Sequence, residues 1–473
     1  MRRFELFLVF GALFAVGWPA VFGVRTRRGI VAISLVTLFA LQWRLEGLRW
    51  QMLPIYLIAL GLTITDLIFV DRTLGWTQRI SRVVFGLAGI ALASLLPFVL
   101  PIPELPTPSG PDAIGTVTIE LIDRDREEIY GKTPEEISEE TPGGPRHLRV
   151  QMWYPAEPVD DVDPFVWNED WDVVMPEMAR NLGFPGWFLN HTRYTESHAA
   201  PSIPVADGTF PVIVYSHGWT GFRTIAINQI ETLVSNGYMV VAIDHTYGAV
   251  ATRFENGEVV TFDKNALPDE EVVGEEIYAQ AATDLVGVFA ADIVTVLNAL
   301  EEGEEGGFGP IAESADMTRI GLYGHSTGGG AAVQVCLIDE RCDAVLGMDP
   351  WVEPIPDKII SISATRPALY MRSDEWRGNE NDAILRGIAE RSQEVTYWIG
   401  IEGAHHNDFV ITPLFSPVGS QLGLKGPIPA GRVIPIIDRY LLGFFDVFLL
   451  STGSAAIDTA SFQEVSLEVI RPE

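Results

Sequence analysis

The sequence predicts an α/β protein, a mostly parallel sheet with helices on both faces, preceded by an all-α region of about four membrane-spanning helices. Three observations predict it. Apolar runs fill most of the first 102 of the 473 residues. From residue 113 onward, strand-like and helix-like runs alternate, the pattern of a parallel sheet covered by helices. Within that alternation, Gly324-His325-Ser326-Thr327-Gly328 joins a strand-like run directly to a helix-like one.

The apolar runs cover 4–24, 29–43, 53–70 and 83–102. A span needs about 20 apolar residues, so the second is short and the others fit. Arg2-Arg3 before the first run also suits a signal peptide, but three further runs favour a membrane region. The connections after the first and third runs hold Arg25, Arg27, Arg28, Arg72, Arg79 and Arg82. The opposite side holds Arg2, Arg3, Arg44 and Arg49. No Lys or Arg follows the last run until Arg124, so the large second domain is placed outside the cytoplasm. Trp43, Trp50 and Trp76 fall at predicted span ends, where indole rings settle at the headgroups. Asp66 is the only acid deep in a run.

A linker over 103–112 follows, and five prolines between 101 and 111 make it a stiff, extended spacer. Charge divides sharply around it. Residues 1–103 carry ten Arg and four acids, leaving 22 basic and 59 acidic residues to the rest, a net charge of −37 there. So acidic a domain repels phosphate, which argues against nucleic-acid binding. The whole chain has four Lys. Its two cysteines, Cys336 and Cys342, fit no metal-ligand pattern. A disulfide closing the end of a helix and a pair of reduced buried thiols are both open.

The domain over 113–473 reads as strands at 116–121, 148–154, 212–216, 239–244, 318–323, 344–348, 368–372 and 395–399. The early pair suggests an antiparallel edge. Helical patterns fall at 225–236, 275–300, 328–337, 383–391 and 431–450. The last is apolar but contains Asp438, Arg439 and Asp446, so it reads as a buried amphipathic helix and not as a fifth span. The acidic run 301–305 reads as a solvated loop. An aromatic-rich stretch, 165–194, reads either as a lid or lipid-facing surface, or as an excursion packed over the core.

G-x-S-x-G between a strand and a helix is the nucleophile elbow of serine hydrolases with the α/β-hydrolase fold. A serine is unreactive alone and needs a base, an acid to orient that base, and donors for the oxyanion. In this fold the chain order is Ser, then Asp or Glu, then His. The histidines after Ser326 are His405 and His406, both just past the last predicted strand. Two carboxylates compete as the acid: Asp349 ends one strand and Asp374 ends the next. The Thr327 N–H is one expected oxyanion donor, and the loop 216–221 offers the Trp219 N–H as the other. His217 is expected to pack beneath that loop. Trp351 and Phe222 are candidate pocket walls. No metal or cofactor is needed for this chemistry.

These loops, in this order, resemble the plasma-type (group VII) platelet-activating factor acetylhydrolases and their bacterial relatives, over about 190–450. Ser216-His217-Gly218-Trp219-Thr220-Gly221-Phe222-Arg223-Thr224 is similar to the family's S-H-G-x-x-x-F-R-T loop. Val241-Ala242-Ile243-Asp244-His245 follows at the next strand end, and Met348-Asp349-Pro350-Trp351 resembles L-D-x-W/G. Gly403-Ala404-His405-His406-Asn407-Asp408-Phe409 resembles G-[AS]-x-H-x-[DN]-F. The resemblance implies Asp349 as the acid, His406 as the base, and Trp219 and Thr327 as oxyanion donors. It implies a serine esterase acting on short acyl esters, including acetyl or oxidised phospholipids of the 1-alkyl-2-acetylglycerophosphocholine type, and the apolar runs before it make that esterase membrane-anchored. Two other readings fit the motifs: a general carboxylesterase or cutinase-like polyester hydrolase, and a catalytically silent hydrolase fold that binds at a membrane.

Overall fold

The structure is a computed structural model describing residues 1–22, 29–68, 75–132, 143–159, 165–452, 457 and 462–472. The chain divides into two compact units, Met1–Pro103 with Phe415–Val418, and Glu104–Leu414 with Gly419–Glu473.

The first unit holds four apolar helices: α1 Arg3–Phe22, α2 Ile30–Glu46, α3 Leu53–Ile68 and α4 Trp76–Val99. Two of their acids serve helix ends, whose first amides have no intrahelical acceptor. Glu46 accepts from the Phe4 N–H at 2.8 Å, and Asp66 from the Ala32 N–H at 3.1 Å. Glu5 pairs with Arg49 through two bonds of 2.8 Å, both side chains buried. Among the described residues of this unit, Trp50–Ile68 and Trp76–Val99 are long and apolar enough to cross a membrane, and only 22% and 17% of their most apolar stretches are buried within the protein. Arg25, Arg27, Arg28 and Arg72, on which the expected orientation leans, lie outside the described residues.

The second unit is a mixed α/β fold built on one large sheet. Its strands are β1 Ala113–Glu127, β2 Pro145–Ala156, β3 Ala199–Pro201, β4 Phe210–Ser216, β5 Met239–Asp244, β6 Ala315–His325, β7 Ala344–Met348, β8 Ala368–Arg372, β9 Thr396–Ile401 and β10 Val465–Ile470. They lie side by side as β10-β9-β8-β7-β6-β4-β5-β2-β1-β3. The run from β9 to β5 is parallel, and β10 and β2 flank it antiparallel. All eight expected strands are present. The unforeseen β3 and β10 close the two edges, so the antiparallel pair β1–β2 lies one strand in from its edge. β3 is three residues long and β10 alternates polar with apolar, so neither carries the continuous apolar run of a central strand.

Successive side chains alternate faces along a strand. Val212 and Val214 share the main core with Leu285, Phe289 and Ile293 of helix α7 (Glu275–Glu301; α5 is Trp171–Asn181 and α6 Ile227–Ser235) and with Ala331 and Val335 of helix α8 (Ser326–Ile338). Tyr215 and Tyr323 point the other way, and the Tyr323 ring lies 6.4 Å from Phe445 of the helix Ala430–Phe448. Helix α7 is apolar enough to be mistaken for a span, but 56% of its most apolar stretch is buried, and its apolar residues belong to this core. Residues 301–305 finish α7 and enter a helical turn, Glu304–Phe308, with all four glutamates exposed.

The end of the linker is tied down. Gly110 N–H donates to Ser235 Oγ and Asp112 N–H to Ser235 O, each at 3.1 Å, at the C-terminus of the helix Ile227–Ser235. Cys336 and Cys342 form a disulfide with Cα atoms 5.2 Å apart, closing the end of α8.

The aromatic stretch divides between its two readings. Trp167, Val174 and Met175 are buried, the last two on the helix Trp171–Asn181. Beyond it Leu182, Phe184 and Trp187 are exposed. The packed half is held by Arg223, itself buried. The guanidinium reaches Asp244 at 2.5 Å, Asp170 at 2.8 Å, Glu169 at 3.0 Å and Gln151 at 3.1 Å. Replacing Arg223 by methionine leaves Asp244 buried without its cation and Asp170 with only Arg253, 3.6 Å away. The expected loss of stability is about 3–5 kcal/mol, read as a lowered urea midpoint of the full chain with unchanged slope.

Candidate active site

Ser326 stands where β6 becomes α8, with φ at +56°. That left-handed conformation is uncommon for a residue with a Cβ and marks a sharply turned backbone. The flanking glycines make the turn sterically feasible. A Cβ on Gly324 would lie 2.5 Å from the Gly328 carbonyl group, and one on Gly328 would lie 2.2 Å from the Ser216 carbonyl oxygen. The strand, the helix and the neighbouring loop therefore pass closer than any side chain allows.

Asp349 follows β7, also at positive φ (+41°), with its side chain buried. Its carboxylate accepts the Ser373 N–H at 2.8 Å, the Ser373 hydroxyl at 2.6 Å and His406 Nδ1–H at 3.1 Å. A carboxylate on Nδ1 fixes the proton there and leaves Nε2 free to act as a base. His406 in turn lies against the elbow. Its carbonyl accepts His325 Nε2–H at 2.9 Å, and the two imidazole rings are 4.3 Å apart. Burial, and then the neighbouring His406, hold the His325 imidazole well below its ordinary pKa, in its neutral form.

Asp374 occupies a different place. Its carboxylate accepts the Gly403 N–H at 2.5 Å and pairs with Arg377 at 3.0 Å, fixing the turn that leads into the histidine loop. The segment Ser373–Trp376 thus makes four successive contacts. Ser373 holds Asp349, Asp374 holds Gly403, Glu375 accepts the His406 N–H at 3.0 Å, and Trp376 stacks on the His406 ring at 4.4 Å and 2°. Apart from Asp374, sequence reasoning missed this segment, because its residues match no motif; its one signal is its position immediately after β8. The backbone N–H of His405 donates to the buried Asp408, which also receives the Gly426 N–H.

Thr327 lies in the first turn of α8, whose amides have no intrahelical acceptor. The Trp219 N–H donates to no acceptor among the described residues. Its loop is fixed on either side by Thr220 N–H to Gly248 O at 2.9 Å and Gly221 N–H to Gly218 O at 2.8 Å. His217 is fully buried under this loop. Trp351 is half-buried, and its N–H donates to Ser326 O at 2.9 Å. Phe222 is buried, edge-on to Trp167 with centroids 5.7 Å apart, and so belongs to the packing beneath the aromatic stretch. Asn181, at the end of the helix in that stretch, donates to Thr220 Oγ1 at 3.2 Å. The exposed Leu182, Phe184 and Trp187 therefore follow directly on a residue that touches the Trp219 loop.

An imidazole held by a buried carboxylate, against the residue that precedes a serine on a strained turn, is suited to acyl transfer. Known proteins agree in class. Residues 138–451 match the family described as platelet-activating factor acetylhydrolase, isoform II. The platelet-activating factor acetylhydrolase of Cavia porcellus is 25% identical over 321 residues, 63% of this chain and 72% of its own length. A probable 1-alkyl-2-acetylglycerophosphocholine esterase of Arthroderma benhamiae is 22% identical over 78% of this chain and 93% of its own. Among solved structures, a ferulic acid esterase from Streptomyces cinnamoneus superposes with a TM-score of 0.61 at 25% identity, covering 77% of this chain and 99% of that one. The large sheet and this likeness are consistent with the α/β-hydrolase fold. By the extent of the family match, the chain belongs to the platelet-activating factor acetylhydrolase, isoform II, family, and it is a carboxylic ester hydrolase.

Proposed function

We propose that the chain is a membrane-anchored serine esterase that cleaves short acyl esters of lipids, through Ser326, His406 and Asp349. The observation that carries this is the buried Asp349 carboxylate on His406 Nδ1, at 3.1 Å, with the His406 carbonyl bonded to His325, the residue before the elbow serine. His406 Nε2 takes the Ser326 proton, Ser326 Oγ attacks the ester carbonyl, and the Trp219 and Thr327 N–H groups hold the oxyanion. The alcohol leaves with the proton from His406, and water then releases the acyl group by the same steps reversed. Removing one such donor typically costs about 3–4 kcal/mol of transition-state stabilisation.

Lipid esters are favoured over soluble ones by two features. The exposed Leu182, Phe184 and Trp187 form an apolar tip next to the Trp219 loop. The first 102 residues form a four-span anchor, residues 103–112 a linker and residues 113–473 the hydrolase domain, which faces away from the cytoplasm. The likeness to a ferulic acid esterase across 99% of that chain favours a second reading, a carboxylesterase of soluble esters. Turnover of 1-alkyl-2-acetylglycerophosphocholine in vesicles, against p-nitrophenyl acetate and methyl ferulate, separates them. A kcat/KM on the acetyl phospholipid below that on both soluble esters overturns the lipid reading. Failure of a fluorophosphonate to label the chain overturns the serine mechanism. Protease protection in intact cells tests the topology: a hydrolase domain cut only after lysis contradicts it.

A further inference from the structure

A second serine–histidine–aspartate array lies sealed beneath the candidate site. Ser216 Oγ–H donates to His245 Nε2 at 2.8 Å, and His245 Nδ1–H donates to Asp292 Oδ2 at 2.9 Å. All three residues are fully buried. Asp292 also receives Arg146 Nε at 3.0 Å, Arg146 Nη2 at 2.7 Å and Arg126 Nη2 at 2.6 Å. Burial alone would raise the Asp292 carboxyl, but Arg146 and His245 outweigh it and hold the group well below the usual carboxylate range. An ionised carboxylate only accepts, so the His245 proton sits on Nδ1 and Nε2 is left to accept from Ser216. Burial also pushes the His245 imidazole toward its neutral form. No substrate reaches Ser216 in this arrangement, so the array is not a second nucleophile.

Its position assigns it another task. Ser216 is the last residue of β4, and His217-Gly218-Trp219 follows directly. His245 grips the same loop twice, through Ser216 Oγ and through its own N–H to His217 Nε2 at 3.3 Å. The turn after His245 holds the loop's far end: Thr220 N–H donates to Gly248 O and Val250 N–H to Gly221 O, both at 2.9 Å. Phe289 stacks on the His245 ring at 3.8 Å and fixes its plane. On the opposite side the loop is pressed onto the elbow, since a Cβ on Gly218 would lie 2.9 Å from Ser326 Cβ. A loop gripped from below and in contact above transmits any shift of Ser216 to the Trp219 N–H.

We infer that Ser216, His245 and Asp292 are positioning residues for the ester hydrolysis: their buried relay sets the Trp219 N–H at the place where the oxyanion forms. The inference rests on the reading of Ser326 as nucleophile and Trp219 as donor. In Ser216→Ala, kcat for p-nitrophenyl acetate is expected to fall about 10- to 100-fold, the size of a misplacement of about 1 Å, with KM within about twofold. Affinity for an aryl trifluoromethyl ketone, whose adduct oxyanion uses the same donors, should fall in the same proportion as kcat/KM. Ser216→Cys, with a weaker donor in nearly the same volume, should lie between, and it carries the test alone if Ser216→Ala does not fold. A lowered melting temperature with kcat and ketone affinity within about twofold of the parent overturns the positioning role. Ser326→Ala measured alongside keeps the two readings apart: turnover persisting there overturns the serine reading, whereas loss there without loss in Ser216→Ala overturns only the relay's part.

Discussion

Replacing Ser326 by alanine is expected to lower kcat on p-nitrophenyl acetate by about 10⁴- to 10⁶-fold, with any residue of activity supplied by binding and the oxyanion donors alone. The fold should survive. Alanine takes over the same φ of +56° with a Cβ already accommodated, and it removes a hydroxyl on a half-buried residue. A melting temperature within a few degrees of the parent, together with lost fluorophosphonate labelling, is the expected pair of results. Parent-like turnover in a well-folded Ser326→Ala protein rules out acyl transfer through this serine.

The second large effect separates two aspartates that the sequence places alike. Asp349→Asn presents an amide to His406 Nδ1 and to the Ser373 N–H and hydroxyl. The amide cannot accept all three, and the imidazole is free to adopt the wrong tautomer, for which a loss of about 10⁴ in kcat is expected. Asp374→Asn retains an oxygen for the Gly403 N–H and loses a partly exposed ion pair with Arg377, 3.0 Å long. Such pairs contribute about 0–1 kcal/mol, so its rate should change by less than about fivefold. Equal losses in the two variants would mean that Asp349 is not the orienting acid.

Much of this molecule is written locally. The six parallel strands were legible because parallel strands covered on both faces are short, continuous apolar runs, and β5, β7 and β8 begin and end where those runs do. The elbow was legible because close passage of a strand and a helix leaves room for nothing larger than glycine at 324 and 328. β10 was not legible: its apolar residues alternate with Ser466 and Glu468, and its pairing with β9 joins segments about 70 residues apart. The excursion over 165–194 read two ways because aromatic content does not say which rings are covered. Trp167 is buried and Trp187 exposed, although both sit in the same aromatic-rich stretch.

The order of elements, the identity of the elbow serine, the two histidines on offer and the separation of an apolar Arg-rich start from an acidic domain are all readable along the chain. Each of these is a property of neighbours along the chain, set by side-chain periodicity, steric room at glycine and local charge. Only the tertiary structure decided that Asp349 meets His406 while Asp374 meets Gly403, since both follow adjacent parallel strands and differ only in where their loops turn. Only it brought Ser373, Glu375 and Trp376 around the histidine, closed Cys336 onto Cys342, and joined Ser216 to His245 and Asp292, 29 and 47 residues onward at each step. A hydrogen bond is decided by about an ångström of separation and by the direction of a lone pair, and neither exists until the sheet register and its loops are in place.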